Sequence, residues 1–243
     1  MNTVLNISAY RFVPLPDAAV LRERLHARAA EAGLKGTVLL AEEGINLFLA
    51  GEPGALRGFV AWLHEDERFA GLLPKESWSD SVPFGKLLVK VKREIIRMNH
   101  PAIRPQAARA PAVDAHTLAR WLDAGHDDEG RPVVTLDTRN AFEVDHGRFK
   151  GALDWRIGRF SEFPDAALAH REQMQRKTVV SDCSGGIRCE TAALFLLAAG
   201  VARVLQLEGG ILKYFEETAG RHFEGDCFVF DERERVNIAL QPV

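Results

Sequence analysis

Cys183-Ser184-Gly185-Gly186-Ile187-Arg188 places a thiol, two glycines and an arginine in six consecutive residues. The apolar run Thr178-Val179-Val180 precedes them and Thr191-Ala192-Ala193-Leu194-Phe195-Leu196-Leu197 follows, a pattern that predicts a turn from a buried strand into a helix amino terminus. Adjacent glycines let successive backbone N–H groups converge, while the helix end and Arg188 add positive potential, so a thiol there ionises more easily. An ionised, partly exposed cysteine attacks electrophiles or carries sulfur as a persulfide; a cysteine buried in an apolar core does neither readily. The bland alternative is a core cysteine after a strand, and Cys-x-x-Gly-x-Arg at a helix start favours chemistry over it. Four residues separate Cys183 from Arg188, one fewer than in cysteine phosphatases. The tighter loop suits a single sulfur atom better than a tetrahedral phosphoryl group.

Three neighbours of this loop carry further expectations. Asp182 stands directly before the thiol, and an acid in that place raises a cysteine pKa. Cys189, one residue beyond Arg188, reads either as a small side chain packed on the sheet or as a resolving thiol. In the second case it would reduce a Cys183 persulfide by forming a disulfide, provided the alpha carbons come within about 7 Å. Cys227 has no evident partner and reads as structural.

The elements that must position this loop follow from periodicity. Leu5 to Phe12 alternates as a strand, and Asp17 opens a helix with Leu21, Leu25 and Ala29 on one face before Gly33 stops it. Thr37-Val38-Leu39-Leu40 and Ile45-Asn46-Leu47-Phe48-Leu49 flank the turn Glu42-Glu43-Gly44 as a hairpin. A second helix begins at Pro53 with Leu56, Val60 and Leu63 inward, and Leu87 to Ile96 reads as the last strand. The order β-α-β-β-α-β predicts an α+β ferredoxin-like (acylphosphatase-like) domain over residues 1–96. Three prolines and weak periodicity make 97–112 an interdomain linker. From Asp114, a helix cap, helices alternate with short apolar strands at Val133, Ala152, Thr178 and Val204. This predicts an α/β domain with a parallel sheet over 113–220, followed by a carboxy-terminal tail, 221–243. Cys183, directly after its strand, sits where such sheets place reactive loops.

Bulk properties exclude several classes. Of the 243 residues 47% are hydrophobic and 27% charged, as in soluble globular proteins, and no apolar run approaches the roughly 20 residues that span a bilayer. The start, Met1-Asn2-Thr3-Val4-Leu5-Asn6, lacks a basic segment before an apolar one, so a cytoplasmic location is expected. Three cysteines offer no disulfide framework. The eight histidines are scattered, no metal site is expected, and no dinucleotide fingerprint or haem motif identifies a cofactor. The net charge is only −3, but between Phe84 and Arg109 seven cations stand against the single acid Glu94. Lys86, Lys90, Lys92 and Arg93 are the candidate RNA contacts among them, with a solvated, lysine-protected strand edge as the alternative.

Val133-Val134-Thr135-Leu136-Asp137-Thr138-Arg139, Phe142-Glu143, His146-Gly147, Gly151-Ala152 and Leu207-Glu208-Gly209-Gly210, with the cysteine loop, resemble a rhodanese domain. That resemblance implies a persulfide-carrying role for Cys183, with Arg188 closing a loop whose backbone is Ser184, Gly185, Gly186 and Ile187. The whole chain is similar to the tRNA uridine hydroxylase family. The matching segments are Ile7 to Phe12, Gly36 to Asn46, Leu88 to Ile96, Gly185 to Glu190 and Cys227 to Arg233. The resemblance implies oxygen-dependent hydroxylation of the wobble uridine of tRNA to 5-hydroxyuridine, with tRNA as partner and O2 as co-substrate. The electron donor and the oligomeric state stay open. A thiol or persulfide at Cys183 adding to C6 of the pyrimidine would activate C5. A plain sulfurtransferase and a non-catalytic rhodanese-like binding module are the rival readings.

Overall fold

In the computed structural model, alternation along β1 (Val4–Phe12) turns Leu5, Ile7 and Ala9 into a core and leaves Asn6, Ser8 and Tyr10 on the opposite face. Residues 3–243 are described; Met1 and Asn2, part of the start read as leaderless, lie outside them. Two units divide the chain. The first takes in the described residues to Arg97 with Phe230–Arg233 and Pro242, and the second takes in Met98–Val229, Glu234–Gln241 and Val243.

In the first unit β1 is followed by α1 (Ala18–Glu31), β2 (Lys35–Ala41), β3 (Gly44–Gly51), α2 (Pro53–His64), β4 (Lys75–Ser79) and β5 (Leu87–Val91). The sheet order is β4-β1-β3-β2-β5. Leu21, Leu25 and Ala29 of α1, with Leu56, Phe59 and Leu63 of α2, fill the core above it. The Glu52 carboxylate caps α2 by accepting from the Ala55 N–H at 2.7 Å, and Pro53 occupies the first turn. At the hairpin Gly44 has φ +152°, and a Cβ there would lie 2.1 Å from the Arg11 carbonyl oxygen, so the close approach of β1 demands glycine.

The ferredoxin-like order stands with one correction. Its fourth strand is β4, Lys75–Ser79, and Leu87–Val91 is an additional fifth strand running parallel to β2. β4 pairs only with β1, at an edge; four of its five residues are half-buried, so its apolar alternation is faint. β5 stops at Val91 and not at Ile96. Lys92 N–H still reaches the Leu40 carbonyl at 2.7 Å, but Ile95 N–H donates to the Glu43 carboxylate at 2.7 Å and Asn46 Nδ2 donates to the Ile95 carbonyl at 3.3 Å, which takes the chain off the sheet.

The second unit contains β6 (Ala112–Val113), α3 (Ala115–Ala124), β7 (Val133–Asp137), α4 (Ala141–Val144), β8 (Gly147–Phe149), α5 (Phe163–Ala169), β9 (Thr178–Asp182), α6 (Ile187–Ala198), β10 (Val204–Leu207) and α7 (Gly210–Thr218). It ends in β11 (Phe223–Gly225), β12 (Cys227–Phe228) and β13 (Arg235–Val236). β6-β10-β9-β7 form an all-parallel sheet. Asp114 caps α3, accepting from Thr117 N–H and Oγ1, each at 2.8 Å. Leu118 and Trp121 of α3 pack with Ile211 and Tyr214 of α7 over Val180 and Leu207. The segment at Ala152 makes only a single parallel bridge, Leu136 to Leu153.

The stretch read as a linker and the stretch read as a tail are both tied down. Met98 and Ala110 are buried, Gln206 Nε2 donates to the Ala110 carbonyl at 3.1 Å, and Ala112–Val113 supplies the edge strand beside β10. An unpaired β10 edge would leave backbone groups without partners, which explains the recruitment. In the tail β11 pairs with β8, and Cys227, Val229 and Val236 join the core of the second unit. Glu232 N–H meets the Pro83 carbonyl at 3.0 Å and Arg233 Nη1 meets Ser77 Oγ at 2.8 Å within the first unit. No helix of the described residues is long and apolar enough to cross a membrane.

Candidate active site

Every residue of β9 is buried, and the chain turns after Asp182 through Cys183–Gly186 into α6, with Gly186 as N-cap at φ +101°. Such a backbone is strained for any residue with a Cβ. Gly186 N–H lies 3.2 Å from Cys183 Sγ. The first residues of α7 hold the loop from behind: Ile211 N–H donates to the Cys183 carbonyl at 2.9 Å and Leu212 N–H to the Ser184 carbonyl at 3.1 Å. That contact requires Gly210, since a Cβ there would fall 2.5 Å from the Cys183 carbonyl oxygen and 2.7 Å from Gly186 N. Ser184 Oγ donates to the Phe228 carbonyl at 3.3 Å. Contrary to the partly exposed thiol expected from the sequence, Cys183 is fully buried, as are Ser184, Gly186, Ile187, Arg188 and Cys189, because the loop folds back between β9 and the start of α7; Gly185 is the half-buried member.

Arg188 and Glu143 meet across 45 residues of sequence as a two-pronged ion pair, at 2.5 and 2.7 Å, with both side chains buried. The sequence singled out Phe142-Glu143 as a motif, but nothing in it announced that Glu143 is the counter-ion of the loop arginine. A second buried pair stands beside β7: Arg139 grips Asp137 at 2.9 and 2.6 Å and donates to the Gly147 carbonyl at 2.6 Å.

Burial by itself pushes the Cys183 thiol up. The Cys189 thiol at 3.7 Å, the Arg188 charge and the backbone N–H groups of Cys189 and Gly186 outweigh it and hold the group down at about 5. Cys183 is held down in spite of the acid beside it. The Asp182 carboxyl is pushed well above the usual carboxylate range, by burial first and then by the Asp137 charge across the β7–β9 register. Among the described residues neither carboxyl oxygen has a hydrogen-bond partner. The Cys183 thiolate is itself among the charges that push this carboxyl up. Cys189 moves the opposite way from Cys183: burial, the Cys183 sulfur and the acids nearby raise it far above an ordinary thiol. Cys227 is raised to about 11 by burial, with Arg139 opposing.

These shifts fix the sign of a pH effect. A thiol whose pKa is depressed in the fold contributes stability that is complete above the ordinary thiol range and lost as the pH falls through its folded value, here about 5. The ultraviolet thiolate absorbance of the protein at pH 7 should therefore vanish on acidification through about pH 5 and be missing in Cys183→Ser. An absorbance that develops only above pH 8 in both proteins would contradict the assignment.

A scan against family models matches residues 4–95 to the UPF0176 acylphosphatase like domain and residues 115–217 to the rhodanese-like domain. Among curated proteins, a tRNA uridine(34) hydroxylase of Bordetella avium (strain 197N) is 63% identical over 241 residues, 99% of this chain and 100% of its own length. Proteins of the same name from Delftia acidovorans, 62% identical over 100% of this chain and 93% of theirs, and Variovorax paradoxus, 64% over 96% and 89%, also match. The chain belongs to the tRNA uridine(34) hydroxylase family. The family's two-domain architecture accounts for the change of pattern near Asp114, and the cysteine loop lies within its rhodanese-like portion.

Of the residues singled out from the sequence, Cys183, Ser184, Gly185, Gly186, Ile187, Arg188 and Cys189 form one cluster in the second unit. Lys86, Lys90, Lys92 and Arg93 are exposed on the first. Val89 points into the core, so alternation along β5 sets Leu88 and Lys90 on the sheet face away from the helices. A cavity of about 600 Å³, bordered by Arg131, Arg171, Met174, Arg176 and Lys177, sits at the opposite end of β9 and does not include the loop.

Proposed function

We propose that this chain hydroxylates C5 of uridine 34 in tRNA, giving 5-hydroxyuridine, with O2 as co-substrate and Cys183 as the reactive group. The observation that carries the reading is a thiolate held by Cys189, Arg188 and the start of α6, in a chain that matches curated tRNA uridine(34) hydroxylases over 96–100% of its length. A thiolate adds to C6 of a pyrimidine, and the electron pair released at C5 makes that carbon nucleophilic toward an oxidant. Arg188 acts through its charge on Cys183, fixed in place by Glu143; Ser184, Gly185, Gly186 and Ile187 supply the loop backbone. A tRNA substrate fits a cytoplasmic location.

Nucleoside mass spectrometry of tRNA from a strain lacking the chain tests this reading: 5-hydroxyuridine should vanish and return with the wild-type chain. The rhodanese-like match favours thiosulfate or persulfide sulfur transfer as the second reading. Turnover of thiosulfate to thiocyanate by the purified protein, with unchanged 5-hydroxyuridine in the deletion strain, would establish that reading in place of hydroxylation.

Lys86, Lys90, Lys92 and Arg93 are proposed to meet tRNA phosphates. Replacing Lys90 and Lys92 by alanine should weaken tRNA binding and flatten the dependence of log Kd on log salt by about 2, one contact for each lysine. Filter binding across a salt series reads this directly; an unchanged slope would mark both lysines as ordinary edge-strand surface.

A further inference from the structure

We propose that Cys183 and Cys189 together supply the two electrons of the hydroxylation, closing to a disulfide as O2 is split, so that the protein's external reductant is a thiol or dithiol. This rests on the hydroxylase reading above and adds the source of its electrons.

The chemistry sets the demand. One oxygen atom of O2 replaces the hydrogen at C5 and the other leaves as water, which takes two electrons and two protons beyond those of the uridine. Two thiols closing to a disulfide release that number: uridine, O2 and two thiols give 5-hydroxyuridine, one disulfide and water. Cys183 Sγ, in the loop before α6, and Cys189 Sγ, in its first turn, lie 3.7 Å apart. They must approach by about 1.7 Å to reach a bonded length of about 2.05 Å. Cys189 Sγ sits 3.0 Å from the Gly186 carbonyl, which holds it on the loop side of the helix, and both sulfurs are buried.

The steps balance as follows. Cys183 sulfur bonds to C6, and the electron pair from the C5–C6 double bond goes to O2, which with a proton becomes a hydroperoxide on C5. Cys189 sulfur takes the outer oxygen: the O–O bond breaks, C5 keeps a hydroxyl, and Cys189 becomes a sulfenic acid. Loss of the C5 proton expels Cys183 from C6 and restores the ring double bond. The Cys183 thiolate then attacks the Cys189 sulfur, releasing the oxygen as water and forming the S–S bond. The order of ionisation follows: Cys183 is the thiolate that attacks first, and once its sulfur is bonded to C6 its charge no longer adds to the burial that keeps Cys189 protonated, so Cys189 ionises more easily as it attacks the peroxide. Thiol–disulfide exchange with a reductant then resets the pair.

Fully reduced protein, freed of added thiols and mixed with excess tRNA in air-saturated buffer, provides the test. Wild type should form up to one 5-hydroxyuridine per chain, with a Cys183–Cys189 disulfide appearing in equal amount by peptide mass spectrometry. Added dithiothreitol should convert this to repeated turnover. Cys189→Ser, shown by its melting curve to be folded and by filter binding to hold tRNA, should lose at least about 90% of the single-turnover product. Product without a matching disulfide, or a wild-type yield from Cys189→Ser, would overturn the inference and leave the hydroxylase reading intact. So would product formed only with a non-thiol reductant. If no reductant, cell extract included, supports any product from wild type, the hydroxylase reading itself falls.

Discussion

Cys183→Ser should reduce 5-hydroxyuridine in tRNA to the level of a strain lacking the chain, a loss on the order of 10³-fold or more, because removing the reacting group leaves only binding and positioning. The substitution changes one atom. A serine hydroxyl fits the space of the thiol and accepts the same Gly186 N–H, but it does not ionise near neutral pH, so neither Arg188 nor the helix start can make it a nucleophile. Stability at pH 7 should fall only by the share tied to the thiolate, and tRNA binding should persist because the cations proposed to meet phosphate lie in the first unit. Nucleoside mass spectrometry of the complemented deletion strain, alongside a melting curve, separates lost chemistry from lost fold. Modification near wild-type levels from Cys183→Ser would remove the thiol from the mechanism.

Glu143→Leu should be the most damaging single change to stability near the site. It leaves the Arg188 guanidinium buried without its two-pronged partner, and breaking one half of a buried ion pair costs about 3–5 kcal/mol. For a chain of this size that corresponds to a melting temperature lower by roughly 6–20 °C. The double variant Glu143→Leu, Arg188→Met should recover part of the loss: two apolar side chains leave no uncompensated charge, but the Asn140 N–H, which donates to Glu143 Oε2 at 3.0 Å, still lacks that acceptor. It should not recover hydroxylation. Without Arg188 the charge holding down the Cys183 thiol is gone, and the thiolate titration should move toward the ordinary thiol range. Melting curves with that titration distinguish a pair that only holds the fold from one that also ionises the cysteine. A double variant whose titration matches wild type would show the pair to be structural alone.

The parts of this protein legible in sequence are those decided within a few residues of chain. The glycine pair before a helix, the Asp114 cap, Pro53 at a helix start and the alternation of β1 each declare themselves locally, because backbone freedom, capping and side-chain period depend on near neighbours. β4 escaped that reading because an edge strand with one partner needs little apolar alternation. The ties of residues 97–112 and of the tail escaped because what recruits them, an open β10 edge and the apolar surface around Cys227, is made by other parts of the chain.

By itself the sequence determined the thiol, its loop and the order of elements that carries it. Only the tertiary structure decided the charge states. Asp182 looks like an ordinary carboxylate until burial and the Asp137 charge push its carboxyl well above the usual range. Arg188 looks like a free cation until Glu143 arrives from 45 residues away. Cys189 looks like filler until the first turn of α6 brings its sulfur to 3.7 Å from Cys183. Ionisation depends on what surrounds a group in space, and chain spacing does not encode those surroundings beyond the nearest turn.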